Sequence, residues 1–220
     1  MVSAFLLDVL GRDVLGRDVL VVDRYLRPSK DLVLDSLSKR LPNVPPTAIT
    51  LVAFGIGLAA CVLTWQGQYA WGLGLWLLNR ILDGLDGSIA RQHTKQSDLG
   101  GYLDILLDFV IYALLPLALV LSAPSHSKFV ALACLLASFY VNAGSWMYLA
   151  AILEKRHALQ AHEFTSITMP RGLIEGAETM LFYCLFLLFP QQLELLFALM
   201  ALLVIVTATQ RIVWAVHQLD

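Results

Sequence analysis

Apolar residues in this chain gather into six long runs: Thr47 to Trp65, Tyr69 to Ala90, Gly101 to Leu121, Phe129 to Leu153, Leu173 to Phe189 and Leu193 to Val216. A helix needs about 20 apolar residues to cross the hydrocarbon core of a bilayer, so each run is long enough to span, the fifth only barely. The connections between them alternate in kind. Gln66-Gly67-Gln68, Ser122 to Lys128 and Pro190-Gln191-Gln192 are very short, whereas the others are polar and carry most of the charge. Such alternation predicts an all-α, polytopic membrane protein of six transmembrane helices.

The basic residues orient it. With the first, third and fifth connections outside, Lys128 is their only Lys or Arg. The other side receives Arg12, Arg17, Arg24, Arg27, Lys30, Lys39, Arg40, Arg91, Lys95, Lys155, Arg156, Arg171 and Arg211. The positive-inside rule then places both termini in the cytoplasm. Before the first run, Asp31 to Leu41 sets Leu32, Leu34, Leu37 and Leu41 near helical spacing against a charged remainder, which predicts an amphipathic helix lying on the membrane. Upstream of that, Asp8 to Val22 repeats as DVLGR-DVLGR-DVLVV. A five-residue period advances about 140° on a helix and so builds no single face. The start of the chain lacks the basic n-region and cleavage site of a signal peptide, which predicts a retained extension. Residues 1–45 are thus expected to form an N-terminal extension with its interfacial helix, and residues 46–220 the membrane domain.

Composition agrees with this. Hydrophobic residues make up 58% of the chain and charged residues 15%, and the mean hydropathy is +0.71, outside the usual range of soluble domains. A net charge of -2 without a Lys/Arg stripe argues against a nucleic-acid partner. Cys61, Cys134 and Cys184 sit singly inside apolar runs, without the spacing of a zinc site or a disulfide framework, and read as packing residues.

Charge inside the spans changes the picture. Ionisable groups in a membrane segment are expensive, which makes function the default explanation. Arg80, Asp83 and Asp86 lie in the second run, Asp104 and Asp108 in the third. From Arg91, Asp86 and Asp83 are roughly 8 and 12 Å deep; from Gly100, Asp104 and Asp108 are roughly 6 and 12 Å deep. Spacings of three and four put each pair on one helical face, so four carboxylates are expected to meet at one level. Alone they would repel. A hard divalent cation with oxygen ligands, Mg²⁺ or Mn²⁺, would stabilise their ionised forms and keep positions open for substrate phosphate. The plainer alternative, a buried ion-pair scaffold around Arg80, gathers too many like charges for one arginine to balance. Gly84, Gly87, Ala90, Gly100 and Gly101 surround the acids and permit close approach of helices or of a ligand.

The run Asp83-Gly-Leu-Asp86-Gly87-Ser-Ile-Ala90-Arg91, eight residues, Gly100, three, Asp104, three, Asp108 resembles the full signature of the CDP-alcohol phosphatidyltransferase family. That resemblance implies transfer of a phosphatidyl group from a CDP-linked donor, most simply CDP-diacylglycerol, to an alcohol acceptor with release of CMP. It implies that Asp83, Asp86 and Asp104 ligate the metal and that Asp108 shares a metal contact or acts as base toward the acceptor hydroxyl. Gly87, Ala90, Arg91 and Gly100 would line the donor site. The family's Pro-Asn-x-x-Thr element is met by Pro46-Thr47-Ala48-Ile49-Thr50, with Thr47 in place of asparagine, and suggests a donor contact by Thr50. The family further implies a homodimer. RGLIEGAET in the fifth run resembles poorly characterised bacterial members, which implies a bacterial inner (plasma) membrane; the positive-inside orientation and the depth of the acids put the site on its cytoplasmic side.

For the acceptor, the best clue is Arg171, Glu175 and Glu178, spaced i, i+4 and i+7 and expected on one face of the fifth helix. They would line an acceptor pocket or form an intrahelical ion pair that tolerates the interface. Beyond Arg171, only His93, Lys95, Lys155 and Arg156 are obvious cations for a phosphorylated acceptor, so the glutamates lean toward a neutral polyol or an amine-bearing alcohol. Gly172 and Gly176 form a G-x-x-x-G for close helix contact. Three alternatives stay open: a soluble CDP-alcohol donor with a diacylglycerol acceptor, a secondary transporter, and an inactive lipid-binding relative.

Overall fold

The computed structural model of the chain describes residues 38–39, 41, 44–159 and 172–219. Among these it has six α-helices: α1 (Pro46–Trp65), α2 (Tyr69–Gln92), α3 (Asp98–Ser122), α4 (His126–Leu159), α5 (Gly176–Leu188) and α6 (Leu193–Leu219), with a 3₁₀ turn at Pro190–Gln192 between the last two. Each corresponds to one apolar run. The expected interfacial helix lies outside the described residues except for Ser38, Lys39 and Leu41, as does the pentad repeat.

Local chemistry sets the ends. Proline opens α1, where its missing N–H costs no intrahelical bond. Gly67, at φ 77°, supplies the left-handed residue that reverses the chain into α2. Ser97 caps α3, its hydroxyl accepting from the Gly100 N–H at 3.1 Å. Pro116 lies inside α3 and is buried. Lacking an N–H, it leaves the Tyr112 carbonyl one turn back without its helical donor. Tyr183 of α5 supplies the replacement, its hydroxyl donating to that carbonyl at 2.5 Å.

α1 packs on both α2 and α3, α4 packs on α6, and α5 touches α2, α3 and α6. The join is aromatic. Trp76 stacks on Tyr183 at 5.0 Å between centroids, Tyr183 meets Phe186, and Phe186 meets Phe197 edge-on at 4.8 Å. Close approach of α1 to its neighbours depends on Gly57, where a Cβ would come within 2.9 Å of Ile111 and 3.1 Å of Asn79.

Among the described residues four helices are long and apolar enough to cross a membrane: α1, α3, α4 from His126 to Arg156, and α6 with the preceding 3₁₀ turn. α2 matches them in length but carries Arg80, Asp83, Asp86 and Arg91. α5 is the exception. The sequence suggests a span from Leu173 to Phe189, but the helix has 13 residues, about 20 Å of rise, because Gly172 to Glu175 is not helical. Leu51, Val52, Trp71, Tyr140, Leu195 and Leu202 are exposed, each by more than half. Apolar surface of that extent suits lipid rather than water, and the chain is an integral membrane protein.

Candidate active site

The four acids sit where α2 ends and α3 begins, at the same end of the bundle as the start of α1. Asp83, Asp104 and Asp108 line one cavity together with Thr50 and Ala53 of α1 and Asn79 of α2. Asp83 and Asp104 are close enough for their side chains to interact. One oxygen of Asp104 is buried with no hydrogen-bond partner.

The expectation that all four carboxylates meet at one point needs correction. Among the described residues no three acid, histidine or cysteine side chains are gathered tightly enough to hold an ion as they are placed. Two of the acids are turned to protein donors instead. Asp86, 5% exposed, accepts from the Thr50 hydroxyl at 2.5 Å. Asp108 accepts from both terminal nitrogens of Arg80, at 2.9 Å on Oδ2 and 2.5 Å on Oδ1. Thr50 thus orients an acid of the signature, a use the sequence did not suggest.

Arg80 is surrounded on every side. Its Nε donates to Asn79 Oδ1 at 2.8 Å, and Nη1 also donates to the Tyr112 hydroxyl at 3.0 Å. The guanidinium carbon lies 4.8 Å from the Trp76 ring and 5.2 Å from that of Tyr112, the cation–π range. Asp83 Oδ2 is 3.6 Å away. Sequence reasoning missed Trp76, Asn79, Tyr112 and Tyr183, although the signal was there. Trp76, Arg80 and Asp83 are spaced i, i+4, i+7 on α2, and Asp104, Asp108 and Tyr112 i, i+4, i+8 on α3, one face in each case.

Of the expected donor residues, Thr50 lines the cavity, while Gly87, Ala90 and Arg91 lie in the last turns of α2 and Gly100 in the first turn of α3. A Cβ on Gly87 would come within 3.2 Å of the Arg91 guanidinium, and one on Gly100 within 3.0 Å of Ser97 Oγ. Ala90 and Arg91 close α2, with Arg91 exposed. A second unforeseen contact ties the chain before α1 to this end of α2. Ser38 is fully buried, its hydroxyl donating to Gln92 Oε1 at 2.5 Å and its carbonyl meeting His93 Nε2 at 3.0 Å.

The suggested acceptor residues are arranged otherwise than expected. Arg171 lies outside the described residues. Glu175 is the N-cap of α5 in extended conformation, so it does not share a helical face with Glu178. Its Oε1 accepts from the Gly172 N–H at 3.0 Å, while Glu178 Oε2 reaches back to the Glu175 N–H at 3.2 Å. The Glu175 side chain also accepts from the Glu178 N–H, completing a capping box at the start of α5, which gives both glutamates a structural use. Glu178 Oε1 is buried without a partner. Gly172, preceding the helix, does not pair with Gly176 as a helical stripe. It packs on α6, where a Cβ would sit 2.2 Å from Thr207 Cγ2.

In residue type, though not gathered around one point as placed, the acids suit a hard divalent cation. They offer carboxylate oxygens, one of them a buried Asp104 oxygen that no protein donor satisfies. Two of the cations suggested for an acceptor are engaged with backbone: Lys95 donates to the Val44 carbonyl, and Arg156 to carbonyls of Gln218 and Leu219.

The sequence profile of the CDP-alcohol phosphatidyltransferase family matches residues 43–216. The inner membrane protein YnjF of Escherichia coli K12 is 38% identical over 174 residues, 77% of this chain and 83% of that protein. A bifunctional IPC transferase and DIPP synthase of Thermococcus kodakarensis is 37% identical over 103 residues, 46% of this chain and 23% of the relative. In fold, the chain resembles a Mycobacterium tuberculosis phosphatidylinositol phosphate synthase crystallised with CDP-DAG bound. The TM-score is 0.60 at 17% identity, covering 82% of this chain and 92% of that one.

Proposed function

Because this chain belongs to the CDP-alcohol phosphatidyltransferase family, we propose that it transfers a phosphatidyl group from CDP-diacylglycerol to the hydroxyl of an alcohol, releasing CMP. The observation that carries this reading is the cavity lined by Asp83, Asp104 and Asp108, with Thr50 between it and Asp86. Members of the family generally depend on a divalent metal. Asp83, Asp86 and Asp104 are the residues that would hold Mg²⁺ or Mn²⁺, which supplies positive charge beside phosphate oxygens.

The chain's own groups do the rest. Asp108 takes the proton of the acceptor hydroxyl as its oxygen bonds to the phosphorus that carries diacylglycerol. The bond from that phosphorus to CMP breaks, and CMP leaves with the electron pair. Gly87, Ala90 and Gly100 leave room for the nucleotide phosphates, and Arg91 lies beside them. Lipid tails lie between helices while the headgroup enters from water. On the positive-inside pattern, that end of the bundle and both termini face the cytoplasm. With Arg171, Glu175 and Glu178 as candidate acceptor contacts, the unpartnered Glu178 oxygen favours a neutral polyol or an amine-bearing alcohol. The homodimer rests on family likeness.

The test is CMP release from CDP-diacylglycerol in Mg²⁺ across a panel of alcohols. We expect acceptor-dependent CMP, abolished by EDTA and lowered about 100-fold or more in Asp108→Asn, the scale of a lost general base. Release only from a soluble CDP-alcohol with diacylglycerol would reverse the polarity; release from neither would remove the transferase reading.

A further inference from the structure

Arg80 is a permanent cation set one helical turn deeper than Asp83, beneath the carboxylates, and it is 8% exposed. Its fork takes both oxygens of Asp108, and its remaining bonds go to Asn79 and to the Tyr112 hydroxyl. Those partners are themselves fixed. The Asn79 amide donates to the Ala53 carbonyl of α1 at 2.8 Å, Trp76 stacks on Tyr183, and Tyr183 anchors the Tyr112 backbone. For stability alone, an apolar side chain of similar volume would serve as well as a buried ion pair.

We propose that Arg80 is a positioning residue of the transfer reaction: its two-pronged bond to Asp108 fixes the plane of that carboxylate so that it faces the cavity in the proton-accepting orientation. This rests on the reading of Asp108 as the proton acceptor. A bidentate guanidinium–carboxylate pair sets orientation as well as distance, and Asp108 is the one acid that both lines the cavity and is held by a fork. A lysine at the same place keeps the charge but loses the fork.

The geometry also separates this role from a scaffold's. Arg80 lies 3.6 Å from Asp83, so its charge opposes capture of a divalent cation there. Removing it slows turnover without weakening metal binding. A residue that merely held the acids together would, on removal, weaken both.

The experiment uses the full chain in nanodiscs, with Arg80→Gln, Arg80→Lys, Asp108→Asn and the Arg80→Gln/Asp108→Asn double variant. Mn²⁺ alone is titrated by electron paramagnetic resonance, and kcat and KM are read from CMP release. We expect Arg80→Gln to bind Mn²⁺ at least as tightly as the native protein while kcat falls about 100-fold, the scale of a misplaced catalytic group. KM for the donor should hold, and Arg80→Lys should recover little of the loss. The double variant should be no slower than Asp108→Asn, since both changes act through one carboxylate.

Parallel loss of Mn²⁺ affinity and kcat, or losses that multiply in the double variant, would overturn the proposal. If Arg80→Gln does not fold, Arg80→Lys carries the same comparison of metal affinity with kcat. Absence of CMP release from the native protein would remove the transferase reading and this role with it. Normal turnover in Arg80→Gln would remove the role alone.

Discussion

Replacing Tyr183 by Phe removes a single oxygen, the hydroxyl that donates to the Tyr112 carbonyl at 2.5 Å. That carbonyl lacks a helical donor because Pro116 stands four residues on, inside α3. Tyr183 is fully buried, so no water replaces the lost hydroxyl. Leaving a buried acceptor unpaired costs about 1–3 kcal/mol. At about 2–4 °C per kcal/mol for a chain of this size, the apparent Tm should fall by about 2–12 °C. The diagnostic background is Pro116→Ala, which restores an N–H to the same carbonyl. There Tyr183→Phe should cost under about 1 kcal/mol, because the helix then satisfies the acceptor itself. Thermal unfolding of the four proteins in one detergent, at one scan rate, measures the cycle. Equal drops in both backgrounds would refute the reasoning, for they would mean that the hydroxyl does not stand in for the missing backbone bond.

Two further outcomes follow from the same geometry. Thr50→Val keeps the shape but removes the hydroxyl that donates to Asp86 Oδ2; a hydrogen bond to a charged group contributes about 1.5–3 kcal/mol, so apparent Tm should fall and Thr50→Ser should restore most of it. Gly172→Ala would push against Thr207 Cγ2, whose hydroxyl accepts from the Ile174 N–H at 3.0 Å. Because a β-branched side chain in a helix has little rotameric freedom, a loss of about 1–3 kcal/mol is expected, read as a lower Tm, whereas Gly176→Ala, with open space around it, should leave Tm nearly unchanged.

Hydrophobic period and charge placement carried much of the fold. Six apolar runs gave six helices, since a chain in lipid satisfies its backbone only by closing each run on itself. The exception was α5. The residues before it are apolar enough to extend the helix, yet the Gly172 N–H bonds Glu175 locally and the Ile174 N–H bonds Thr207 on α6, 33 residues on, so one local and one distant contact keep this stretch out of the helix. The same contacts removed Glu175 from the face on which its spacing from Glu178 had seemed to set it.

Within the site, spacing along α2 and α3 alone was enough to bring Asp83, Asp104 and Asp108 to one cavity, because helical rise fixes depth and a spacing of three or four fixes the face. What each acid touches was beyond it. Arg80 does approach Asp83 a turn away, at 3.6 Å, but its fork is aimed at Asp108 on the neighbouring helix, held there by Trp76, Asn79 and Tyr112. Thr50, read as a ligand contact, faces Asp86 because α1 crosses α2 at that level. Periodicity along one helix is a local property and is written in the chain. Rotation of one helix against another depends on packing among α1, α2, α3 and α5, and only the tertiary structure decides it.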